Sequence, residues 1–487
     1  MDILNKAKTG KKDRPIKVVQ YGEGNFLRAF VDYMFDLANE QGKFDGDIVL
    51  IKPIEFGNLE NFHKQDCQYT VSLRGNVNGE GKVTNRIVTS VADVVDTSNE
   101  YEKYMALADI DTLRFVVSNT TEAGIVFDDT DKFEAEPPKT FPGKLTKFLY
   151  RRFKTFNGDT SKGLIMLPVE LIDDNGLHLK ECVEKLIDLW KLGDEFKKWV
   201  EDACIFTSTL VDRIVTGYPR GKDQEEWEKL GYEDHIMVTA EPFSLWVIES
   251  PKDISADFPK LPIDNFNVII TDDHHPYKQR KVRILNGAHT SFVLAAWCCG
   301  LNIVRDSMKD DDIRNFMNKT IYDEVIPTLT LPADELKAFA AEVVNRFDNP
   351  FVDHKLLDIS LNSVSKWRAR CMPSLLGYVD KFGKLPAHLT FSIAALMAFY
   401  TGSEIRDGVL IGHRNGEEYL VKDDKAVLEF FAANSGKDTR TFVTDYLGNE
   451  NFHGQDLNKV PGLTDAVVAY LDDIKTNGMR AALCKIS

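Results

Sequence analysis

The chain has 487 residues, 43% of them hydrophobic and 28% charged, which is the balance of a globular protein with length for two or three domains. A net charge of −16 argues against nucleic acid and against an anionic membrane surface as partners, yet leaves an anionic small molecule open wherever Arg and Lys cluster. Seven cysteines without CxxC spacing, an N-terminus without an apolar targeting segment and the lack of any run of about 18 apolar residues predict reduced thiols, a cytoplasmic location and no membrane span.

Residues 16–21, Ile-Lys-Val-Val-Gln-Tyr, have the pattern of a short buried strand. The turn Gly22-Glu23-Gly24 follows, and an amphipathic helix is predicted from residue 30 to about 39. Strand, Gly-x-Gly turn and helix is the setting in which a dinucleotide fingerprint carries meaning. Gly22 would allow the tight turn, and Gly24 would let backbone approach a pyrophosphate at the helix N-terminus. Leu27 stands where the usual third glycine would, and a plain strand-to-helix turn explains the residues as well.

A second strand, 47–51, ends in Lys52-Pro53-Ile54-Glu55. A carboxylate at this tip would accept from a ribose 2′-hydroxyl, which makes Glu55 a candidate, whereas Lys52 offers a charge to a 2′-phosphate. The two leave the choice between NAD and NADP open. Alternating segments between 58 and 97 predict additional sheet, and 99–108 predicts a helix. The apolar strand 113–118 runs into Asn119 and Thr120. Ligands gather at the carboxyl ends of such strands, so both are candidates for a cofactor ribose or nicotinamide, with capping of the next segment as the structural alternative. Strand 163–169 ends in Glu170-Leu171-Ile172-Asp173, and helical spacing returns at 177–200.

Thr271-Asp272-Asp273-His274-His275 raises the question of a metal. Consecutive side chains diverge and no further ligand stands at recognisable spacing, so no metal is expected. Beyond residue 300 the segments 311–345, 353–368, 387–400, 425–434 and 463–483 all read as helices. The expected fold is α/β, with a Rossmann-like dinucleotide-binding domain over 1–270 and a mostly α-helical substrate-binding and catalytic domain over 271–487.

The most informative stretch is 278–296, where Val282, Leu285, Ala288, Phe292, Val293 and Ala296 recur at helical spacing. On α-helical geometry Asn286 lies roughly 140° and His289 roughly 80° round from Lys281, so all three can look into one cleft. An amine that moves a proton, an amide that holds an oxygen and an imidazole that orients both suit chemistry on an alcohol or a carbonyl. A general-acid lysine needs a pKa below its ordinary value of about 10.4, and Arg280 and Arg283 are nearby cations that would help. A solvated lysine and a merely hydrogen-bonded Asn and His are the structural alternative.

Lys281-x4-Asn286-x2-His289 resembles the signature of the polyol-specific long-chain dehydrogenases, the mannitol dehydrogenase family. Arg283-Ile-Leu-Asn-Gly-Ala-His-Thr resembles its branch acting on keto-hexuronates. The resemblance runs in blocks from about residue 16 to 375. It makes Gly22-Glu23-Gly24-Asn25-Phe26 with Arg28 the family's variant of the cofactor turn. It also places Asp212, in Val-Asp-Arg-Ile, and the block with Lys366 and Arg370 near the substrate, Arg368 being an alternate. Leu171 stands where the wider family carries an Asn that assists the oxyanion hole, which departs from the common pattern. The implied protein is an NAD-dependent, metal-independent reductase of a keto-hexuronate, in which Lys281, Asn286 and His289 are catalytic. A dehydrogenase of neutral polyols or of another hexuronate, a zinc alcohol dehydrogenase and a dinucleotide sensor without chemistry are the rivals.

Overall fold

The computed structural model describes residues 1–77, 79–121 and 123–486. The chain divides into two compact units, Met1–Gly75 with Lys82–His274, and Asn76–Gly81 with His275–Ser487.

The first unit is built on six parallel strands: β1 (Ile16–Tyr21), β2 (Asp47–Lys52), β3 (Val91–Asp96), β4 (Phe115–Ser118), β5 (Ile165–Pro168) and β6 (Ile205–Phe206). They lie in the order β3-β2-β1-β4-β5-β6. β2 and β4 are buried at every position, the mark of strands covered on both faces. One core packs Phe30, Met34, Val117, Trp246 and Phe258 on one face, and another packs Tyr104, Phe148, Val183 and Trp199 on the other. The chain builds outward from β1 in one direction and from β4 in the other. The carboxyl ends of β1 and β4 therefore border the crevice where ligands bind in such sheets. Further strands form two smaller sheets, one of them holding Ser208–Asp212, Leu245–Glu249 and Asn267–Thr271.

Helix α1 follows β1 as Asn25–Leu27, a π-turn over Arg28–Asp32 and Tyr33–Glu40. It starts five residues before the position that apolar periodicity predicts, because the π-turn shifts the phase of the pattern. The carbonyls that such a turn disturbs are met from outside. Arg213 donates to the Ala29 carbonyl at 2.6 Å and the Tyr69 hydroxyl donates to the Arg28 carbonyl at 3.3 Å.

The second unit is organised around α2 (His275–Arg280, a π-turn over Lys281–Asn286, and Gly287–Cys298). Around it lie α3 (Ala333–Phe347), α4 (Ser363–Arg370) and α5 (Ala387–Phe399). The Gly287–Cys298 part of α2 and the whole of α5 are apolar nearly all round and pack on each other, which makes them the centre of this unit. The unit is not entirely helical. Ile405–Arg406, Val409–Arg414 and Glu417–Val421 form an antiparallel sheet that the helical expectation passed over. Its turns, Asp407-Gly408 and Asn415-Gly416, all have positive φ (51°, 78°, 54° and 84°), the signal of two tight hairpins. No helix among the described residues is long and apolar enough to cross a membrane, and the seven cysteines are free thiols.

Candidate active site

In the first unit, Gly22 has φ +120° and its N–H donates to the Ile51 carbonyl. A Cβ there would lie 3.0 Å from Leu27 Cδ1 and 3.2 Å from the Asn119 carbonyl oxygen. Glycine is thus required both by conformation and by the approach of β4's end to β1's end. Leu27, in place of a third glycine, is the side chain that fills this junction. Gly24 caps α1, and a Cβ there would meet nothing within 4 Å, so the N-terminal end of the helix faces open space. A pyrophosphate fits such a turn, held by backbone N–H groups and the helix dipole.

The residues expected beside these glycines divide by role. Arg28 is 7% exposed and its nitrogens donate to the Glu23 carbonyl, to Asn25 Oδ1 and to the Ile236 carbonyl, with Tyr69 and Phe62 against its face. It braces the turn from within instead of presenting its charge at the open side. Asn25 is exposed but engaged by Arg28, and Phe26 stacks on Phe30 at 5.0 Å. Glu23 is half-buried, and burial raises its pKa against the pull of Lys52 and Arg28.

At the tip of β2, Lys52 is not available as a surface charge. Its side chain is 1% exposed and Nζ lies 2.8 Å from Asp96 Oδ2 at the tip of β3, with a further bond to the Glu55 carbonyl. Burial pushes the Asp96 carboxyl up, but donors from Lys52, the Ser98 N–H and Asn99 outweigh it and hold it below its ordinary value. The Glu55 side chain is exposed on the loop that follows. At the end of β4, Asn119 N–H donates to the Tyr21 carbonyl, and Thr121 adopts φ 74°. Glu170, at the end of β5, holds this turn: it accepts from the Thr120 N–H (2.9 Å), the Thr120 hydroxyl (3.0 Å) and the Ser118 hydroxyl (3.1 Å). Its position in sequence, 50 residues from Thr120, gave no sign of this; only the pairing of β4 with β5 brings the two together.

Asp212 closes its strand and is buried. Arg213 directs its three guanidinium nitrogens to the carbonyls of Ala29, Pro242 and Phe243, and so serves the backbone. Leu171 is 69% exposed. His274 has acidic neighbours that spacing did not reveal, Glu249 at 2.6 Å and Asp174 at 3.9 Å.

In the second unit, Lys281 and Asn286 are the first and last residues of the π-turn of α2, and the Gly287 N–H reaches back to the Val282 carbonyl. In an α-helix residues five apart diverge. In a π-turn, which closes from i to i+5, they become neighbours on one face as residues four apart are in an α-helix. Asn286 and His289 are then three apart at ordinary helical spacing. The 140° separation expected from regular periodicity is therefore replaced by a single row, Lys281, Asn286, His289. The amide of Asn286 has no hydrogen-bond partner among the described residues. Its carbonyl accepts from Thr290, and Thr290 in turn accepts from Arg370. Gly287 is required for the contact with α4, since a Cβ would stand 3.2 Å from the Arg370 carbonyl oxygen.

His289 lies face-on to Phe347 (4.0 Å, 20°) and edge-on to His354 (5.5 Å, 82°), and its Nε2 is buried without a partner among the described residues. Burial, and then His354 when protonated and the charges of Arg370, Arg346 and Lys366, hold its pKa well below the ordinary value, so it is neutral. Lys366 and Arg370, one turn apart on α4, are half-buried and pair with no carboxylate among the described residues. Burial and then Arg370 lower the pKa of Lys366, while Asp423, the acid acting on it, accepts from Tyr400 and the Val364 N–H. Two cations without an acid partner beside a neutral imidazole make a site for an anion. Arg368 takes no part: it lies against Gly454 and His453. Arg280, expected to help depress Lys281, is itself paired with Glu335 at 2.6 Å. Neither Phe347 nor His354 was among the expected site residues: Phe347 stands in Arg346-Phe347-Asp348-Asn349-Pro350, which resembles a family block without assigning it a role, and nothing marks His354 in its loop.

These features define a dehydrogenase architecture of two parts, a Rossmann-type sheet with a glycine turn at its crevice and a helical unit bearing a Lys-Asn-His row. Residues 16–261 match the mannitol dehydrogenase Rossmann domain and residues 273–475 the mannitol dehydrogenase C-terminal domain, so the chain belongs to the mannitol dehydrogenase family. It is 42% identical over 481 residues to altronate oxidoreductase of Phocaeicola vulgatus, covering 98% of each chain. It is 44% identical over 492 residues to altronate oxidoreductase of Escherichia coli O7:K1, covering 99% of each. Among solved structures it is similar to a D-sorbitol dehydrogenase in substrate-free form (TM-score 0.80, 20% identity, 99% of this chain and 100% of that one). It is also similar to Pseudomonas fluorescens mannitol 2-dehydrogenase in a ternary complex with NAD and D-mannitol (TM-score 0.66, 20% identity, 100% and 99%). At that identity the two structures speak for the fold.

Proposed function

We propose that this chain is an NAD-dependent altronate oxidoreductase, interconverting D-tagaturonate and D-altronate in the cytoplasm. The observation that carries the choice of a sugar acid over a neutral polyol is the Lys366–Arg370 pair, half-buried and without an acid partner among the described residues, next to His289. The identity of 42% and 44% to altronate oxidoreductases over nearly the whole chain supports the same choice. Gly22 and Gly24 with the first turn of α1 would hold the pyrophosphate, and Asn119 and Thr120, braced by Glu170, border the nicotinamide side. The cofactor, when bound, supplies the hydride that reaches the ketone carbon. Lys281 as ammonium gives its proton to the carbonyl oxygen, completing the alcohol, and as amine takes that proton back in the oxidation. Asn286 donates to the same oxygen through its free amide, and neutral His289 fixes the neighbouring hydroxyl. Proton transfer and polarisation are thus assigned to side chains, and a chelator is expected to leave the rate unchanged. The test is NADH oxidation with tagaturonate and with neutral ketohexoses. Tagaturonate should be favoured by orders of magnitude in kcat/KM, and fructose reduced as well as tagaturonate would overturn the proposal.

A further inference from the structure

His354 sits in the connection between α3 and the short helix Leu356–Ile359, and its backbone is fixed on both sides. Its carbonyl accepts from the Val304 N–H at 2.9 Å, Lys355 bridges Ile303, and the Leu356 N–H donates to the Asn302 carbonyl. The ring so positioned makes no hydrogen bond of its own among the described residues, although it is only partly exposed. It presents an edge contact to His289, and the charges that act on it are Asp358, in the next helix, and Lys366, on α4. Asp353, beside it in sequence, is taken up by Arg305 at 2.6 Å. An imidazole with idle nitrogens, held by rigid backbone against the His289 ring on which Arg370 acts, and itself acted on by Lys366, a cation without an acid partner among the described residues, is placed for a ligand.

We propose that His354 is a further substrate-binding residue that recognises the carboxylate of the sugar acid together with Lys366 and Arg370, and that it takes up a proton from solvent as the carboxylate binds. The inference rests on the proposed carboxylate site. Burial and then Lys366 hold the empty ring below its ordinary pKa, hence neutral at pH 7. An anion arriving between Lys366, Arg370 and His354 favours the protonated ring, so binding and proton uptake are linked. No bond to carbon is made or broken; one proton passes from solvent to a ring nitrogen and returns when the anion leaves. Affinity for the sugar acid should therefore weaken as pH rises, and a neutral ketose should show no such trend.

Two measurements test this. His354→Phe, which keeps the ring contact with His289, should raise KM for tagaturonate about ten-fold near pH 6.5, in the range of a hydrogen bond to a charged group. It should change kcat less and remove the rise of KM between pH 6.5 and 8.5. The wild-type enzyme saturated with NAD, which cannot react with tagaturonate, should take up a proton on titration with tagaturonate, read by calorimetry in two buffers of different ionisation enthalpy. No proton uptake by the wild-type enzyme, or an unchanged KM–pH profile in His354→Phe, overturns the inference even if one variant fails to fold. Arg370→Met separates the two readings: if it raises KM and His354→Phe does not, only the role of His354 falls. If neither raises KM, the carboxylate site falls with it.

Discussion

Arg370→Met tests the substrate reading most directly, and the structure sets its size. The guanidinium is half-buried, touches only the Thr290 hydroxyl among the described residues, and has no acid partner whose loss could mask the effect. A hydrogen bond to a charged group contributes about 1.5–3 kcal/mol, which corresponds to a rise in KM of roughly 10- to 100-fold. Partial exposure screens the charge and moves the expectation toward the lower figure. A second effect acts in the same direction: after burial, Arg370 is what lowers the pKa of Lys366, so its removal favours the charged form of Lys366, which can hold the carboxylate alone. About ten-fold is the expected rise for the single variant, and considerably more when Lys366→Met is added. Initial rates of NADH oxidation with tagaturonate, and with a neutral ketohexose as reference, measure it. Equal losses of kcat/KM on the charged and the neutral substrate would show that Arg370 only ties α4 to α2, and the carboxylate reading would fail.

Lys281→Ala should lower kcat by about 10²–10⁴-fold while NADH fluorescence titration gives a nearly unchanged Kd, and retention of more than a tenth of kcat would remove Lys281 from the proton step. Gly22→Ala forces a side chain into φ +120° and against Leu27 and Asn119, at a cost of about 1–3 kcal/mol; NADH binding within two-fold of wild type would contradict the turn's role. Asp96→Asn releases the charge of Lys52 and should shift the kcat/KM ratio for NADH over NADPH toward NADPH; an unaltered ratio means the pair does not bear on cofactor choice. Burial in α1 raises Asp32 to about 7, against 3.8 in the unfolded chain, so the folded state holds the extra proton between those values. Stability should accordingly fall as pH rises from about 4 to 7, and the fall should be smaller in Asp32→Asn by denaturant titration; parallel curves for the two proteins would show that Asp32 does not titrate this way.

The sequence by itself determined the strand, glycine turn and helix at 16–40 and the run of helices after 300. These rest on local hydrophobic spacing and on glycine, which short stretches of chain express. It likewise carried the Lys-x4-Asn-x2-His text, because residue type and spacing identify a motif before any contact is known. It could also have yielded the hairpins at 405–421, since Asp407-Gly408 and Asn415-Gly416 were there to be read. Only the tertiary structure decided how the motif is arranged. Regular periodicity sets Lys281 and Asn286 apart, and the π-turn at 281–286 aligns them. The turn runs straight into a close backbone approach, Gly287 against Arg370, that links segments more than 80 residues apart and that no local pattern encodes. The fate of charges was equally out of reach of the sequence. Arg28, Lys52 and Arg280 look like free cations, yet Arg28 is taken up by carbonyls and Lys52 and Arg280 by carboxylates distant in the chain, whereas Lys366, which donates to the Ile359 carbonyl, and Arg370, which donates to the Thr290 hydroxyl, are left without an acid among the described residues. Partners 44 to 208 residues away settle that difference, and no window of sequence contains both members of such a pair.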